Sequence, residues 1–121
     1  MKGLHILAEL AGCQCEPSLL EDATTLRKVC VEAVEEAGLT MVGELFYTFT
    51  GAGGVTGTVL LAESHLAVHT WPELLGVTLD AYVCNLSEDN SAKAEILVDR
   101  LERAFAPLCT AKKLIHRVNP R

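Results

Sequence analysis

An eleven-residue polar segment, residues 63–73, constrains the fold and chemistry of this chain more than any other feature. It follows an apolar run, residues 55–62, that is typical of a buried strand. The segment contains two acids, two histidines, one serine, one threonine and the only tryptophan. Polar groups beside a buried strand cost free energy unless they are paired or take part in chemistry. In an extended segment one face carries His65, Ala67, His69 and Trp71, and the other carries Ser64, Leu66, Val68 and Thr70.

The composition is that of one globular domain. The chain has 121 residues, of which 50% are hydrophobic and 21% charged, enough for a single core. Its formal net charge of −6 disfavours nucleic acids and anionic membranes as partners. The first residues are too few and too polar for a signal peptide, and no run approaches the ~20 apolar residues of a membrane helix. These features predict a cytoplasmic protein whose five cysteines are reduced thiols.

The spacing of apolar residues predicts an α+β fold. Apolar runs and period-two alternation predict strands at residues 4–10, 39–49, 55–62, 66–71, 76–84 and 109–118. Spacing of three and four residues predicts helices at 18–37 and 90–105. This order predicts a two-layer sandwich, in which an antiparallel-rich sheet carries both helices on one face. No segment remains to cover the other face, so we expect a homodimer that pairs sheet against sheet in a larger sandwich.

The polar segment resembles a known self-cleavage site. Glu63-Ser64-His65, followed by Leu-Ala-Val-His-Thr-Trp-Pro-Glu, is similar to the cleavage region of the small prokaryotic S-adenosylmethionine decarboxylases. The resemblance extends over nearly the whole chain. It implies a proenzyme that cuts itself between Glu63 and Ser64, into fragments 1–63 and 64–121, and converts Ser64 into a pyruvoyl cofactor. It also implies decarboxylation of S-adenosylmethionine for polyamine (spermidine) biosynthesis.

The implied chemistry explains why the cleavage position needs a serine. Its hydroxyl attacks the carbonyl carbon of the preceding peptide bond, and β-elimination of the resulting ester leaves a dehydroalanine that hydrolyses to the pyruvoyl group. That group forms a Schiff base with the substrate amine and serves as an electron sink. Processing requires a tight turn, stabilisation of the oxyanion at the Glu63 carbonyl and a base near the Ser64 Cα. We expect Thr56 and His69 to lie within reach of Ser64 for these tasks.

The resemblance assigns roles to three further residues. Thr56 lies in Gly54-Val55-Thr56-Gly57, where the family usually has Gly-Val-Ser-Gly, and its hydroxyl would assist the acyl shift. His69 matches the histidine implied in proton removal during the elimination. Cys84 matches the cysteine that returns a proton to the product after carbon dioxide leaves.

The resemblance also implies the substrate contacts. Glu73 matches a carboxylate that binds the ribose hydroxyls, which is a favourable charge-assisted contact. Phe49 matches the aromatic residue that stacks on adenine if the glycine-containing loop at 50–54 is one residue longer than in the family. Without that extra residue, Thr50 takes this position and the stacking contact is lost. His65 is expected to orient the new carbonyl or to fill space beside it.

The residues before this loop depart from the family pattern. The family usually has Phe-His-Arg-Phe where this chain has Phe46-Tyr47-Thr48-Phe49, so charge and rigidity change next to the substrate. Because the pyruvoyl chemistry serves any α-amino acid that fits the pocket, L-arginine and L-ornithine remain alternative substrates.

Other interpretations compete for the polar segment. Its serine, threonine and histidine side chains could simply cap turns. On a helix, His65, His69 and Glu73 would share one face and resemble a zinc site. Pro72 and the β-favouring residues predict an extended chain instead, in which residues four apart are about 13 Å from each other, so no metal is expected. A small dimeric domain that binds a nucleoside is the non-enzymatic alternative.

Overall fold

The computed structural model describes residues 2–51 and 53–120, and a six-stranded sheet forms the centre of this part of the chain. The strands are β1 (Gly3–Ala11), β2 (Met41–Thr48), β3 (Val55–Leu61), β4 (Ser64–Trp71), β5 (Gly76–Cys84) and β6 (Cys109–Arg117). The helices are α1 (Pro17–Glu21), α2 (Ala23–Glu36) and α3 (Ser91–Phe105), and a 3-10 turn spans Pro72–Leu74. The strand order is β2-β3-β4-β5-β1-β6, with every neighbouring pair antiparallel. This confirms the predicted α+β fold, and each predicted strand is present with ends that differ by at most two residues.

The prediction of one helix over residues 18–37 is wrong, because Asp22 divides it into α1 and α2. The backbone of Asp22 is extended (φ −116°, ψ 118°). Its carboxylate accepts hydrogen bonds from the Thr24 N–H (3.3 Å) and the Thr25 hydroxyl (2.7 Å), which caps the first turn of α2. The bond from Thr25 lowers the pKa of Asp22. The apolar spacing continues through this break, so periodicity alone did not reveal it.

The core lies between one face of the sheet and the helices. Along β5, residues Val77, Leu79, Ala81 and Val83 are buried and alternate with half-buried residues. The helices cover this face with Leu26, Cys30, Val34, Leu97, Leu101 and Phe105. Cys30 is fully buried in this core, and its burial raises the pKa of the thiol to about 12. Within the described residues, no helix combines the length and apolar character needed to cross a membrane.

The other face of the sheet, which we call the open face, is not covered by any element of residues 2–51 and 53–120. Large apolar side chains remain accessible there, including Leu45 (70% exposed), Tyr47 (58%) and Leu60 (50%). An exposed apolar surface of this kind is typical of an interaction site. The predicted sheet-against-sheet dimer would cover it, and that dimer stays a prediction.

Thr70 is a buried polar residue that ties β4 to its neighbours. Its hydroxyl accepts a hydrogen bond from the Val55 N–H (2.8 Å) and donates one to the Leu20 carbonyl (2.7 Å). Thr70→Val keeps the shape but deprives both backbone groups of a buried partner. We expect it to lower the free energy of unfolding by about 1–3 kcal/mol, measured by urea denaturation.

A matched control for this prediction is Thr78→Val, on the half-buried side of β5. It should change the free energy of unfolding by less than about 0.5 kcal/mol. Equal stability of the two variants would show that the Thr70 hydrogen bonds do not stabilise the fold.

Candidate active site

The predicted cleavage point lies at the tip of the hairpin that joins β3 to β4. Leu61 pairs with Ser64, so Ala62 and Glu63 form a two-residue turn. Glu63 adopts a positive φ of 57°, which costs a residue with a side chain about 1–2 kcal/mol. The Ala62 N–H donates to the Thr40 carbonyl (3.1 Å), which anchors the turn to the start of β2. The Glu63–Ser64 peptide bond therefore follows a strained residue in an exposed, anchored turn.

Ser64 and Cys84 meet beside this turn. The Cys84 N–H, at the end of β5, donates to the Ser64 Oγ (3.1 Å). Both residues line a cavity of about 160 Å³, together with Glu63 and Lys93. This arrangement holds the serine oxygen by a backbone N–H of β5 and places Cys84 in the lining of the same cavity.

The segment after β5 holds Cys84 in place. The Asn90 side-chain amide donates to the Cys84 carbonyl (2.8 Å), and the Asn90 N–H donates to the Asn85 side-chain oxygen (2.7 Å). Asn85 in turn donates to the Ser91 hydroxyl at the start of α3 (3.0 Å). Neither asparagine was predicted from the sequence to belong to the site, and Asn90 was expected only as the first residue of the helix at 90–105. Their only sequence signal was their position between a strand and a helix.

Thr56 and His69 contact each other but not Ser64. The Thr56 hydroxyl lies 3.1 Å from the His69 Nδ1, and the two residues are cross-strand partners in the β3–β4 ladder. Five residues of β4 separate His69 from Ser64, which is about 17 Å of strand. The two side chains also alternate to opposite faces of the sheet. The expectation that Thr56 and His69 lie within reach of Ser64 is therefore not met inside one chain.

A second cavity lies at the Thr56–His69 end of the sheet. Its volume is about 410 Å³, and its lining includes Phe49, Glu73 and Glu21. The two ends of the loop before β3 are joined by a hydrogen bond from the Phe49 N–H to the Gly54 carbonyl (2.9 Å). A Cβ atom on Gly54 would come within 1.9 Å of the Thr70 carbonyl oxygen, so only glycine fits there. The two residues matched to nucleoside binding thus share one cavity, distant from the cleavage turn of the same chain.

His65 lies on the open face and not in the cleavage cavity. Its Nε2 is 3.1 Å from Asp80 Oδ2, and the same oxygen is 2.8 Å from the His5 Nε2. Sequence reasoning missed His5 and Asp80, whose only signal is a polar side chain within an otherwise apolar strand pattern.

The histidines of the rejected zinc motif are separated by the strand that carries them. His65 and His69 both belong to β4, and Glu73 lies beyond it in the 3-10 turn. Four residues of extended chain separate the two imidazoles by about 13 Å, too far for a shared ion.

Comparison with known proteins gives consistent matches. The chain matches the model of a family described as S-adenosylmethionine decarboxylase over residues 4–117. An S-adenosylmethionine decarboxylase proenzyme of Thermococcus onnurineus is 32% identical over 111 residues, which are 92% of this chain and 77% of that protein. The proenzyme of a Hydrogenobaculum species is 35% identical over 115 residues, 95% of this chain and 81% of that protein. The crystal structure of the adenosylmethionine decarboxylase from Aquifex aeolicus VF5 matches with a TM-score of 0.86 and 34% identity, covering 98% of this chain and 92% of that one.

Proposed function

This chain belongs to the S-adenosylmethionine decarboxylase family, and we propose that it cuts itself between Glu63 and Ser64 and then decarboxylates S-adenosylmethionine. The observation that carries the proposal is the hairpin tip, where a strained Glu63 precedes a serine whose oxygen is held by the Cys84 N–H (3.1 Å). The product would serve polyamine (spermidine) synthesis.

The turn favours the first step of self-cleavage. Attack of the Ser64 oxygen on the Glu63 carbonyl carbon converts the peptide bond into an ester and frees the amine of Ser64. The positive φ of Glu63 stores strain in the reactant that a rearranged linkage can release. The Cys84 N–H restricts the Ser64 oxygen to one position beside that bond, which reduces the entropy lost on attack.

The residues around Ser64 fit a pyruvoyl group made from it. The group would stay at the start of β4, in the cavity that Cys84 also lines. A pyruvoyl group supplies an electron sink for the loss of carbon dioxide. In this site the Cys84 thiol is the proton source for the product α-carbon, and Asn90 positions Cys84 by its bond to the carbonyl.

The separation of the two groups of site residues supports a homodimer. Ser64 and Cys84 lie at one end of the sheet, whereas Thr56, His69 and Glu73 lie at or beyond the other. A two-fold axis that crosses the strands would place opposite ends of two sheets together when their open faces pack. His69 of the partner subunit would then serve as the base near Ser64, with Thr56 of the partner subunit assisting. Packing of this kind would also bury the exposed apolar side chains of the open face.

The larger cavity suits a nucleoside. Phe49 offers an aromatic ring to adenine, and Glu73 offers a carboxylate to the ribose hydroxyls. That Phe49 lines this cavity supports the alignment in which the glycine-containing loop is one residue longer than in the family. Glu21 adds a second carboxylate, which favours a cationic substrate such as the sulfonium of S-adenosylmethionine.

The same two carboxylates support a basic amino acid as the second candidate substrate. L-arginine and L-ornithine also carry a cation at one end and an α-amino acid at the other, and Glu21 and Glu73 could bind that cation. These substrates lack the adenine ring that Phe49 would contact.

Release of labelled carbon dioxide from carboxyl-labelled S-adenosylmethionine, L-arginine and L-ornithine tests the proposal. We expect release from S-adenosylmethionine alone, and a Glu73→Gln variant with a KM raised about tenfold because a charge-assisted hydrogen bond is lost. Release from a basic amino acid would transfer the assignment to the second candidate. Binding of a nucleoside without release from any substrate would favour the non-enzymatic alternative.

A further inference from the structure

Three strands place two imidazoles and a carboxylate together near the centre of the open face. His5 on β1 and His65 on β4 are both cross-strand partners of Tyr82 on β5, and Asp80 lies two residues before Tyr82. The Asp80 Oδ2 therefore reaches between the two rings, 2.8 Å from the His5 Nε2 and 3.1 Å from the His65 Nε2. We call these three residues the His-His-Asp cluster.

The geometry of the cluster is close to that of a metal site. One candidate ligand atom from each residue lies within 4.8 Å of the other two. Around a tetrahedral zinc ion with bonds of about 2.0–2.1 Å, neighbouring ligand atoms are about 3.3 Å apart. The two nitrogen–oxygen distances, 2.8 and 3.1 Å, are slightly below that separation, and the two ligand nitrogens lie within 4.8 Å of each other, so an ion would require shifts of all three side chains.

We propose that the His-His-Asp cluster binds a divalent transition-metal ion such as Zn²⁺. Imidazole nitrogens favour zinc, copper and nickel over magnesium and calcium, which prefer ligand sets made of oxygen. Three protein ligands leave a fourth tetrahedral position for water or another ligand. The side chains of His5, His65 and Asp80 are 17%, 38% and 30% exposed in the single chain.

The charges around the cluster set a limit on which ion binds. The Arg117 guanidinium stacks on the Tyr82 ring, 4.6 Å from its centroid, and Lys113 is the cross-strand partner of Leu7 on the same face. These positive charges repel a metal cation and therefore disfavour an ion that the cluster binds only weakly. They favour one that gains from covalent character in bonds to imidazole, as zinc does.

The His-His-Asp cluster is separate from the cleavage cavity, because none of its three residues lines that cavity. His65 alternates with Ser64 along β4 and lies on the other face of the sheet. No metal was expected from the sequence because the candidate ligands there, His65, His69 and Glu73, belong to one segment, whereas the ligands of this cluster come from three strands. Loss of the metal site would leave the cleavage turn intact. Failure of the metal proposal would therefore not contradict the proposed decarboxylase function, and the reverse also holds.

Titration of the processed, tag-free protein with Zn²⁺ after treatment with a chelator tests the proposal. We expect one ion per chain by calorimetry, and intense visible absorption of tetrahedral Co²⁺ when that ion replaces zinc. The variants His5→Gln and Asp80→Asn should each weaken binding by about 100-fold or more, whereas His116→Gln, an exposed residue on β6, should bind like wild type.

A second measurement needs no variant. Zinc should shift the imidazole NMR signals of His5 and His65 and leave that of His116 unchanged. Zinc affinity that is equal in wild type and in a folded His5→Gln variant, or shifts confined to other histidines, would overturn the proposal. Because a dimer formed through the open face would enclose the cluster, both measurements are made on the intact oligomer.

Discussion

A Ser64→Ala variant is expected to remain a single chain of 13.0 kDa, whereas wild-type protein should separate on denaturing electrophoresis into two fragments of about half that mass. Alanine removes the only atom that can attack the Glu63 carbonyl from the adjacent residue, so both the cut and the cofactor are lost. Mass spectrometry of the fragments should place the new ends at Glu63 and at the former Ser64. Carbon dioxide release should fall to background.

The control for this experiment is Ser18→Ala, an exposed serine in α1. It should be cut like wild type, because nothing near the hairpin changes. A wild-type chain that stays whole after prolonged incubation would remove the basis for a pyruvoyl cofactor and for the proposed reaction.

Coexpression of Ser64→Ala and His69→Ala chains is expected to restore cleavage that neither variant performs alone. In a mixed dimer, one site combines the intact Ser64 of the His69→Ala chain with the intact histidine of its partner, while the other site lacks both residues. With random pairing, about half of the His69→Ala chains belong to mixed dimers and should be cut. A different affinity tag on each chain identifies which one is cleaved.

The matched control pairs Ser64→Ala with Cys84→Ala. Ser64 and Cys84 lie together in one chain (3.1 Å from the Cys84 N to the Ser64 Oγ), so no site in that mixed dimer contains both. Decarboxylation should therefore stay at the level of Cys84→Ala alone. Failure of Ser64→Ala and His69→Ala to complement, in dimers shown to be mixed, would place the processing base in the same chain as the serine. Cleavage of His69→Ala by itself would exclude this histidine as the processing base.

Local pattern was enough to predict the strands. The apolar run at 55–62 and the strand at 66–71 placed Glu63, Ser64 and His65 between two neighbouring strands, and the structure has a two-residue turn there, at Ala62 and Glu63. Alternation along the extended segment correctly assigned His65 and His69 to one face and Ser64 to the other. These features depend only on neighbours in sequence.

Features that depend on strand pairing could not be predicted in the same way. The ladder register decides that His69 faces Thr56 and lies far from Ser64, although the three residues are close in sequence. The contact between His5 and Asp80 depends on the pairing of β1 with β5, and it joins residues 75 positions apart in the sequence. The cap at Asp22 involves side-chain hydrogen bonds that a hydrophobic pattern does not report.

The position of β1 in the sheet determines how the two fragments would stay associated after self-cleavage. The first fragment would supply β1, β2 and β3, and the second would supply β4, β5 and β6, yet β1 lies between β5 and β6. The cut removes a covalent link at a turn but leaves three ladders between the fragments, β3–β4, β5–β1 and β1–β6. The mature protein would thus be two interleaved peptides that cannot separate without dismantling the sheet. Once unfolded, they would have to find each other as independent molecules, so the uncut chain provides the last opportunity for unimolecular folding.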